Sequence, residues 1–143
     1  MLKPIVEFRE VTKAYGVKEH CIYAADKITF SIDEGEFVVI LGPSGAGKST
    51  VLNLLGGMDD ADEGQIIVDG KIITDFSDDR LTEYRAKHIG FVFQFYNLIP
   101  TLTALENVAL TKSIVKNTMD AAAVLRSVGL GDHLHQFPSQ LSG

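Results

Sequence analysis

A glycine-rich segment, GPSGAGKST at residues 42–50, constrains the fold of this 143-residue chain more than any other feature. It has the spacing G-x-x-x-x-G-K-[ST], in which the last two positions are Lys48 and Ser49. Glycines let successive backbone N–H groups converge on an anion, and a following helix directs its positive end toward the same point. The run FVVIL at 37–41 precedes the loop and is typical of a strand covered on both faces. The segment therefore predicts a buried strand, a phosphate-binding loop and a helix in succession.

This loop predicts a site for a nucleoside triphosphate with Mg²⁺. The ammonium of Lys48 reaches the β- and γ-phosphates, and the hydroxyl of Ser49 ligates Mg²⁺. Thr50 is a candidate contact to the α-phosphate, although packing in the first helical turn is an equal alternative. The predicted nucleotide-binding residues of the loop are Gly42, Ser44, Gly45, Ala46, Gly47, Lys48, Ser49 and Thr50.

Shorter patterns predict the other elements. Alternating or apolar runs predict strands at 5–11, 21–25, 28–32, 65–68, 71–73 and 89–93. Helices are predicted at 48–55, from Ser77 to about Lys87, from a capping box at Thr103–Glu106 toward Lys112, and at about 118–128. Asp69 imitates a Mg²⁺-binding aspartate at a strand end, but Asp69-Gly70 followed by apolar residues predicts a hairpin turn instead.

These elements predict an α/β fold with three portions. Residues 1–36 and 64–75 form an antiparallel β portion, residues 37–57 and 77–94 form the core around the phosphate-binding loop, and residues 95–143 form a helical portion. We expect the acidic stretch DDADEG at 59–64 to be a solvated turn and Cys21 to be buried.

Charge and hydropathy exclude several classes of function. The net charge of −6 disfavours binding to nucleic acid through its phosphates. The apolar runs are too short to span a bilayer, and the first residues do not resemble a signal peptide, so a cytoplasmic location is expected.

The Asn-Lys-x-Asp pattern of GTPases is absent from the sequence, and Arg80, Arg85 and Arg126 are too scattered for the lid of a small-molecule kinase.

Four motifs in order resemble the ATP-binding subunits of ABC transporters over essentially the whole chain. They are VTKAYG at 11–16, GPSGAGKST, IGFVFQ at 89–94 and PSQLSG at 138–143. The resemblance implies that Tyr15 stacks on adenine and that Gln94 begins the Q-loop, which meets Mg²⁺ or the attacking water. It also implies that Leu141-Ser142-Gly143 begins a signature motif. In a head-to-tail dimer, the amides of Ser142 and Gly143 would clamp the γ-phosphate held by the second ATP-binding subunit.

Within that family the chain looks most like the lipoprotein-releasing and macrolide-exporting ATPases. The resemblance is carried by LLGGMDDADEGQIIVDG and HIGFVFQFYNLIPTLTALENVAL. It implies a transmembrane permease subunit as partner, a peripheral location at the inner face of the cell membrane, and substrate selection by the permease.

In this family the second acidic motif, the catalytic Glu and the switch His follow the signature. We therefore expect these 143 residues to bind MgATP and to hydrolyse it negligibly in isolation. Two alternatives stay open. One is a soluble ABC-type ATPase of DNA repair or chromosome maintenance, disfavoured because no sustained heptads separate Lys48 from Ser142. The other is a non-catalytic module that only binds ATP.

Overall fold

The computed structural model describes residues 4–17, 20–115 and 117–141. The chain divides into two compact units, Met1–Ile89 and Gly90–Gly143. The first carries the glycine-rich loop, and the second is mainly helical.

The first unit contains one antiparallel sheet of four strands in the order β2-β1-β3-β4. The strands are β1 (Pro4–Tyr15), β2 (Ile22–Asp33), β3 (Glu63–Val68) and β4 (Lys71–Ile72). The predicted antiparallel strands are thus confirmed, with the two runs predicted between 21 and 32 joined into a single long strand. Asp69 and Gly70 both have positive φ, +48° and +72°, which confirms the hairpin turn between β3 and β4.

Two helices of this unit follow the loop in sequence. Helix α1 (Lys48–Leu55) has the predicted limits, and α2 (Asp78–His88) follows a 3₁₀ turn at Ile73–Asp75. The buried side chain of Leu54 on α1 lies in the core beside residues of β1 and β3. On the same sheet, the rings of Phe8 and Phe30 stack with their centroids 4.5 Å apart. Burial of Leu54 therefore ties the helix that follows the glycine-rich loop to the sheet.

Side chains of α2 satisfy backbone carbonyls at the end of α1. The hydroxyl of Tyr84 donates to the carbonyl oxygen of Leu55 at 2.7 Å, and the guanidinium of Arg85 donates to that of Gly57 at 2.6 Å. The last carbonyls of a helix lack partners within the helix itself. Tyr84 and Arg85 therefore fix the end of α1 that lies farthest from the loop.

Burial of Tyr84 predicts a loss of stability at alkaline pH. Burial raises the pKa of Tyr84 to about 12, from 10.0. The stability that its neutral hydroxyl contributes to the fold is therefore complete below pH 10 and is lost as the pH rises through 12. Because one pKa unit corresponds to about 1.4 kcal/mol, the free energy of unfolding should fall by about 1 kcal/mol between about pH 9 and about pH 11 on account of this group. Urea denaturation across this range measures the slope.

The variant Tyr84→Phe should have a shallower pH dependence of the free energy of unfolding than the unmodified chain. Equal slopes for Tyr84→Phe and the unmodified chain would contradict the assignment.

Two predicted strands are not strands in the structure. Residues 37–41 and 89–93 have no strand partner among the described residues, and Phe37 and Leu41 are 94% and 86% exposed. The prediction that 37–41 is a buried central strand is therefore wrong for this chain. A strand forms only beside another strand, and the four described strands all belong to the antiparallel sheet.

The second unit contains α3 (Ala104–Ala109), α4 (Ala121–Ser127) and short 3₁₀ turns. The predicted capping box is confirmed, since the Thr103 hydroxyl accepts from the Glu106 amide and the Glu106 carboxylate accepts from the Thr103 amide. Helix α4 begins later than predicted because Asp120 caps it, its carboxylate accepting from the Ala123 amide at 2.9 Å. The 3₁₀ turns are at Leu110–Ser113, Gly131–His133 and Pro138–Gln140.

Two further observations concern membrane insertion and the single cysteine. Every helix in the described part of the chain falls short of the length and apolar character that crossing a bilayer requires. Cys21 is exposed, so the prediction of a buried thiol is wrong. It lies in the connection before β2, where strand pairing does not direct its side chain toward the core.

Candidate functional site

The glycine-rich loop runs from Gly42 into the start of α1. Gly45 and Gly47 have positive φ of +81° and +80°, and the Ala46 amide donates to the Pro43 carbonyl at 3.2 Å. A Cβ built on Gly47 would lie 1.9 Å from the carbonyl oxygen of Ala24 in β2. The loop therefore lies directly against the sheet backbone at a position that only glycine can occupy.

Lys48 places its ammonium at this loop. Its Nζ donates to the carbonyl oxygens of Gly42 at 2.8 Å and Pro43 at 2.6 Å. The first amides of a helix have no partner within the helix, and Gly47, which precedes α1, supplies no side chain to cap them. The loop thus holds the Lys48 ammonium and leads into the uncapped N–H end of α1, and both groups attract a phosphate.

The remaining predicted residues of the loop lie at its surface. Gly42, Ser44, Gly45 and Ala46 are exposed, and so is Ser49 in the first turn of α1. Thr50 is half-buried. Gly47 lies against Ala24, in the part of β2 that pairs with the end of β1. The fold therefore brings Tyr15, the last residue of β1, to the first turn of the helix that follows the loop.

The hydroxyl of Tyr15 is held by an acidic turn. It donates to Oδ2 of Asp59 at 2.5 Å, while the ammonium of Lys13 lies 2.8 Å from Oδ1 of the same carboxylate. The hydrogen bond to Asp59 raises the pKa of Tyr15, burial adds to the increase, and the Thr50 hydroxyl opposes it. The hydrogen bond to Asp59 also raises the pKa of Lys13, so the ammonium form is favoured.

The prediction that 59–64 is only a solvated turn is wrong at Asp59, which is half-buried, and at Glu63 and Gly64, which belong to β3. The exposed Asp62 is solvated as predicted, but its carboxylate also has a backbone partner. Asp59 binds Tyr15 and Lys13, and the carboxylate of Asp62 accepts from the Ala14 amide at 2.7 Å. These contacts join residues more than 40 positions apart, and they follow from the pairing of β1 with β3. The only signal in the sequence is the matching of a lysine and a tyrosine with acidic residues, which does not specify partners.

The other predicted site residues lie in the second unit. Gln94 is exposed and follows the extended segment in which the rings of Phe91 and Phe93 stack. Ser142 and Gly143 lie outside the described residues. In the described part of the chain, no group of three or more His, Cys, Asp or Glu side chains could hold a metal ion. A divalent cation at the loop would therefore depend on Ser49, phosphate oxygens and water.

The chain is similar in sequence to proteins of a known family. Residues 25–143 match the family described as "ABC transporter". The chain is 41% identical to the lipoprotein-releasing system ATP-binding protein LolD of Treponema denticola, over 100% of this chain and 66% of LolD. It is 37% identical to the macrolide export ATP-binding/permease protein MacB of Hyphomonas neptunium, over 100% of this chain and 23% of MacB.

A solved structure is also similar to this chain. It is the dimeric ATP-binding cassette MJ0796, from Methanocaldococcus jannaschii, in a post-hydrolysis state bound to ADP and Pi. The TM-score is 0.85 with 43% identity, over 96% of this chain and 63% of that one. The chain thus spans at most about two thirds of the length of these three proteins.

Proposed function

The chain belongs to the ABC transporter family, and on that premise we propose that it binds MgATP through residues 42–50 as part of an ATPase that powers a membrane transport or extrusion complex. The observation that carries the proposal is the loop, in which Gly45 and Gly47 turn the backbone and Lys48, the first residue of α1, places its ammonium against the loop carbonyls. The bound nucleotide would supply the phosphoryl group to be transferred to water.

The residues present suit a triphosphate with one magnesium ion. Backbone amides of residues 42–50 and the ammonium of Lys48 would hold the phosphate oxygens. Mg²⁺ keeps several waters and takes few protein ligands, so the exposed hydroxyl of Ser49 together with phosphate oxygens is a sufficient set. Gln94 is the proposed further contact to Mg²⁺ or to the attacking water.

Tyr15 is the proposed partner of the nucleotide base. The residue is 44% exposed, which leaves surface for stacking, and its hydroxyl is held by Asp59.

The partners are proposed from the relatives. LolD is named as part of a lipoprotein-releasing system, MacB as an export ATP-binding/permease protein, and MJ0796 forms a dimer. We propose that the complete protein likewise pairs with a second ATP-binding subunit and with a transmembrane permease, at the inner face of the membrane. Ser142 and Gly143 would contribute to the nucleotide site of the second subunit.

Lys48→Ala tests the nucleotide site. Loss of a charge-assisted contact of about 1.5–3 kcal/mol should raise the MgATP dissociation constant by about ten-fold or more. Isothermal titration calorimetry of the 143-residue chain measures this constant. The control Lys112→Ala removes the same charge from the second unit and should bind as the unmodified chain does. Equal affinities for Lys48→Ala and Lys112→Ala would refute the proposed site.

A further inference from the structure

We propose that Asp59 is a positioning residue that holds the ring of Tyr15 in place as the platform for the nucleotide base. The proposal rests on the proposed function, because it concerns how the same site binds the base of ATP. It assigns to Asp59 a specific contribution to affinity that the phosphate-binding loop does not supply.

The side chain of Tyr15 is held at both of its ends. Tyr15 is the last residue of β1, and its hydroxyl donates to Oδ2 of Asp59 at 2.5 Å. A side chain attached only at its backbone rotates about χ1 and χ2. Binding of a stacking partner then loses the conformational entropy of that rotation, which weakens the affinity. A hydrogen bond to a carboxylate at the far end of the ring removes most of this freedom before the nucleotide arrives.

The carboxylate of Asp59 is itself held in place by further partners. Its Oδ1 lies 2.8 Å from the ammonium of Lys13 and accepts from the Asp60 amide at 2.9 Å. Both carboxylate oxygens are therefore bound, which prevents the group from rotating away from Tyr15. Burial would raise the pKa of Asp59, but hydrogen bonds from Lys13 and Tyr15 outweigh it and lower the pKa, so the carboxylate is ionised at neutral pH.

Only one face of the Tyr15 ring is left for stacking with a nucleotide base. The ammonium of Lys13 lies 5.3 Å from the centroid of the Tyr15 ring, and its side chain is 11% exposed. A cation at this distance is attracted by the face of an aromatic ring. Lys13 therefore occupies one face of the ring, and the base is left the opposite one.

The turn that carries Asp59 is also bound to the backbone of β1. The Asp62 carboxylate accepts from the Ala14 amide at 2.7 Å, and the Asp62 amide donates to the Thr12 carbonyl at 2.9 Å. The turn at 59–62 is thus fastened to the end of β1 on both sides of Lys13. This turn follows α1 in the chain. Residues 42–62 therefore contain both the phosphate-binding loop at their start and, at their end, the turn that orients Tyr15.

The test compares two ligands that differ in having a base. MgATP and magnesium tripolyphosphate are titrated calorimetrically into the full 143-residue chain and its variants. Because one hydrogen bond contributes about 1 kcal/mol, Asp59→Ala should bind MgATP about five-fold more weakly, with its affinity for tripolyphosphate unchanged. The matched control Asp60→Ala removes the same charge from the adjacent residue, which contributes only backbone atoms to these contacts, and should bind both ligands normally.

A second variant keeps the ring and the Lys13–Asp59 ion pair. Tyr15→Phe should weaken MgATP binding about three-fold and leave tripolyphosphate binding unchanged. Adding Asp59→Ala to Tyr15→Phe should cost less than Asp59→Ala does alone, because the two changes remove the same hydrogen bond. If circular dichroism finds Asp59→Ala unfolded, the result for Tyr15→Phe decides.

Four outcomes would each overturn a different or shared part of the proposal. Unchanged MgATP affinity in both Asp59→Ala and Tyr15→Phe overturns the positioning role, and so does an equal loss for tripolyphosphate, which would indicate a general structural defect. An unmodified chain that binds MgATP no more tightly than tripolyphosphate overturns the base platform. An unmodified chain that binds neither ligand overturns the proposed function itself.

Discussion

We expect Gly47→Ala to weaken MgATP binding by about 100-fold, or about 2.7 kcal/mol. The added Cβ would lie 1.9 Å from the Ala24 carbonyl oxygen, at a residue whose φ is +80°. Contact at that distance with backbone cannot be relieved by turning a side chain, so the loop must move away from β2. The amides that should converge on the phosphates would move with it. Calorimetric titration with MgATP measures the loss.

Gly35→Ala is the matched control for this result. Gly35 lies outside the loop and has almost the same φ, +83°, but a Cβ built on it meets nothing within 4 Å in the described structure. Its backbone strain of about 1–2 kcal/mol is present with and without nucleotide, so it largely cancels from the affinity. We expect a change below about three-fold, or about 0.6 kcal/mol. Similar losses in both variants would mean that the contact with Ala24 is not what shapes the loop.

Leu54→Ala should lower the free energy of unfolding by about 2–5 kcal/mol. Leu54 is 1% exposed and belongs to the core formed by α1, β1, β3 and α2. Its removal leaves a cavity between the sheet and the helix that carries Lys48. Urea denaturation followed by circular dichroism measures the change.

Leu52→Ala serves as the comparison within the same helix. Leu52 is 49% exposed, so its removal should cost less than about 1 kcal/mol. If both variants lose the same stability, α1 does not pack on the sheet through Leu54, and the description of the core is wrong. Nucleotide binding by Leu54→Ala should also weaken at temperatures near its unfolding transition.

Features encoded by adjacent residues could be predicted from the sequence. The limits of α1 follow from the glycines before it and after it, the hairpin from Asp69-Gly70, and the capping box from Thr103 and Glu106. In each case the interactions that fix the conformation lie within a few positions, so a local pattern is sufficient.

Features that depend on distant partners could not be predicted in the same way. The apolar run at 37–41 indicates that both faces of the segment require cover, but such a pattern does not name the strands that supply it. The contact of Tyr15 with Asp59 spans 44 positions and depends on the alignment of β1 with β3, including its register shift. The sequence therefore predicts the chemistry of the loop better than it predicts the surroundings of the ring.

The contact of Arg85 with the Gly57 carbonyl has an electrostatic consequence for the opposite end of α1. A helix carries partial charges of roughly half a unit, positive at its first residue and negative at its last. Arg85 places a full positive charge at the negative end, and the first turn, Lys48 to Val51, contains no acid. Neutralising one pole leaves the other uncompensated, so the helix presents to an incoming anion a field close to that of a single positive pole.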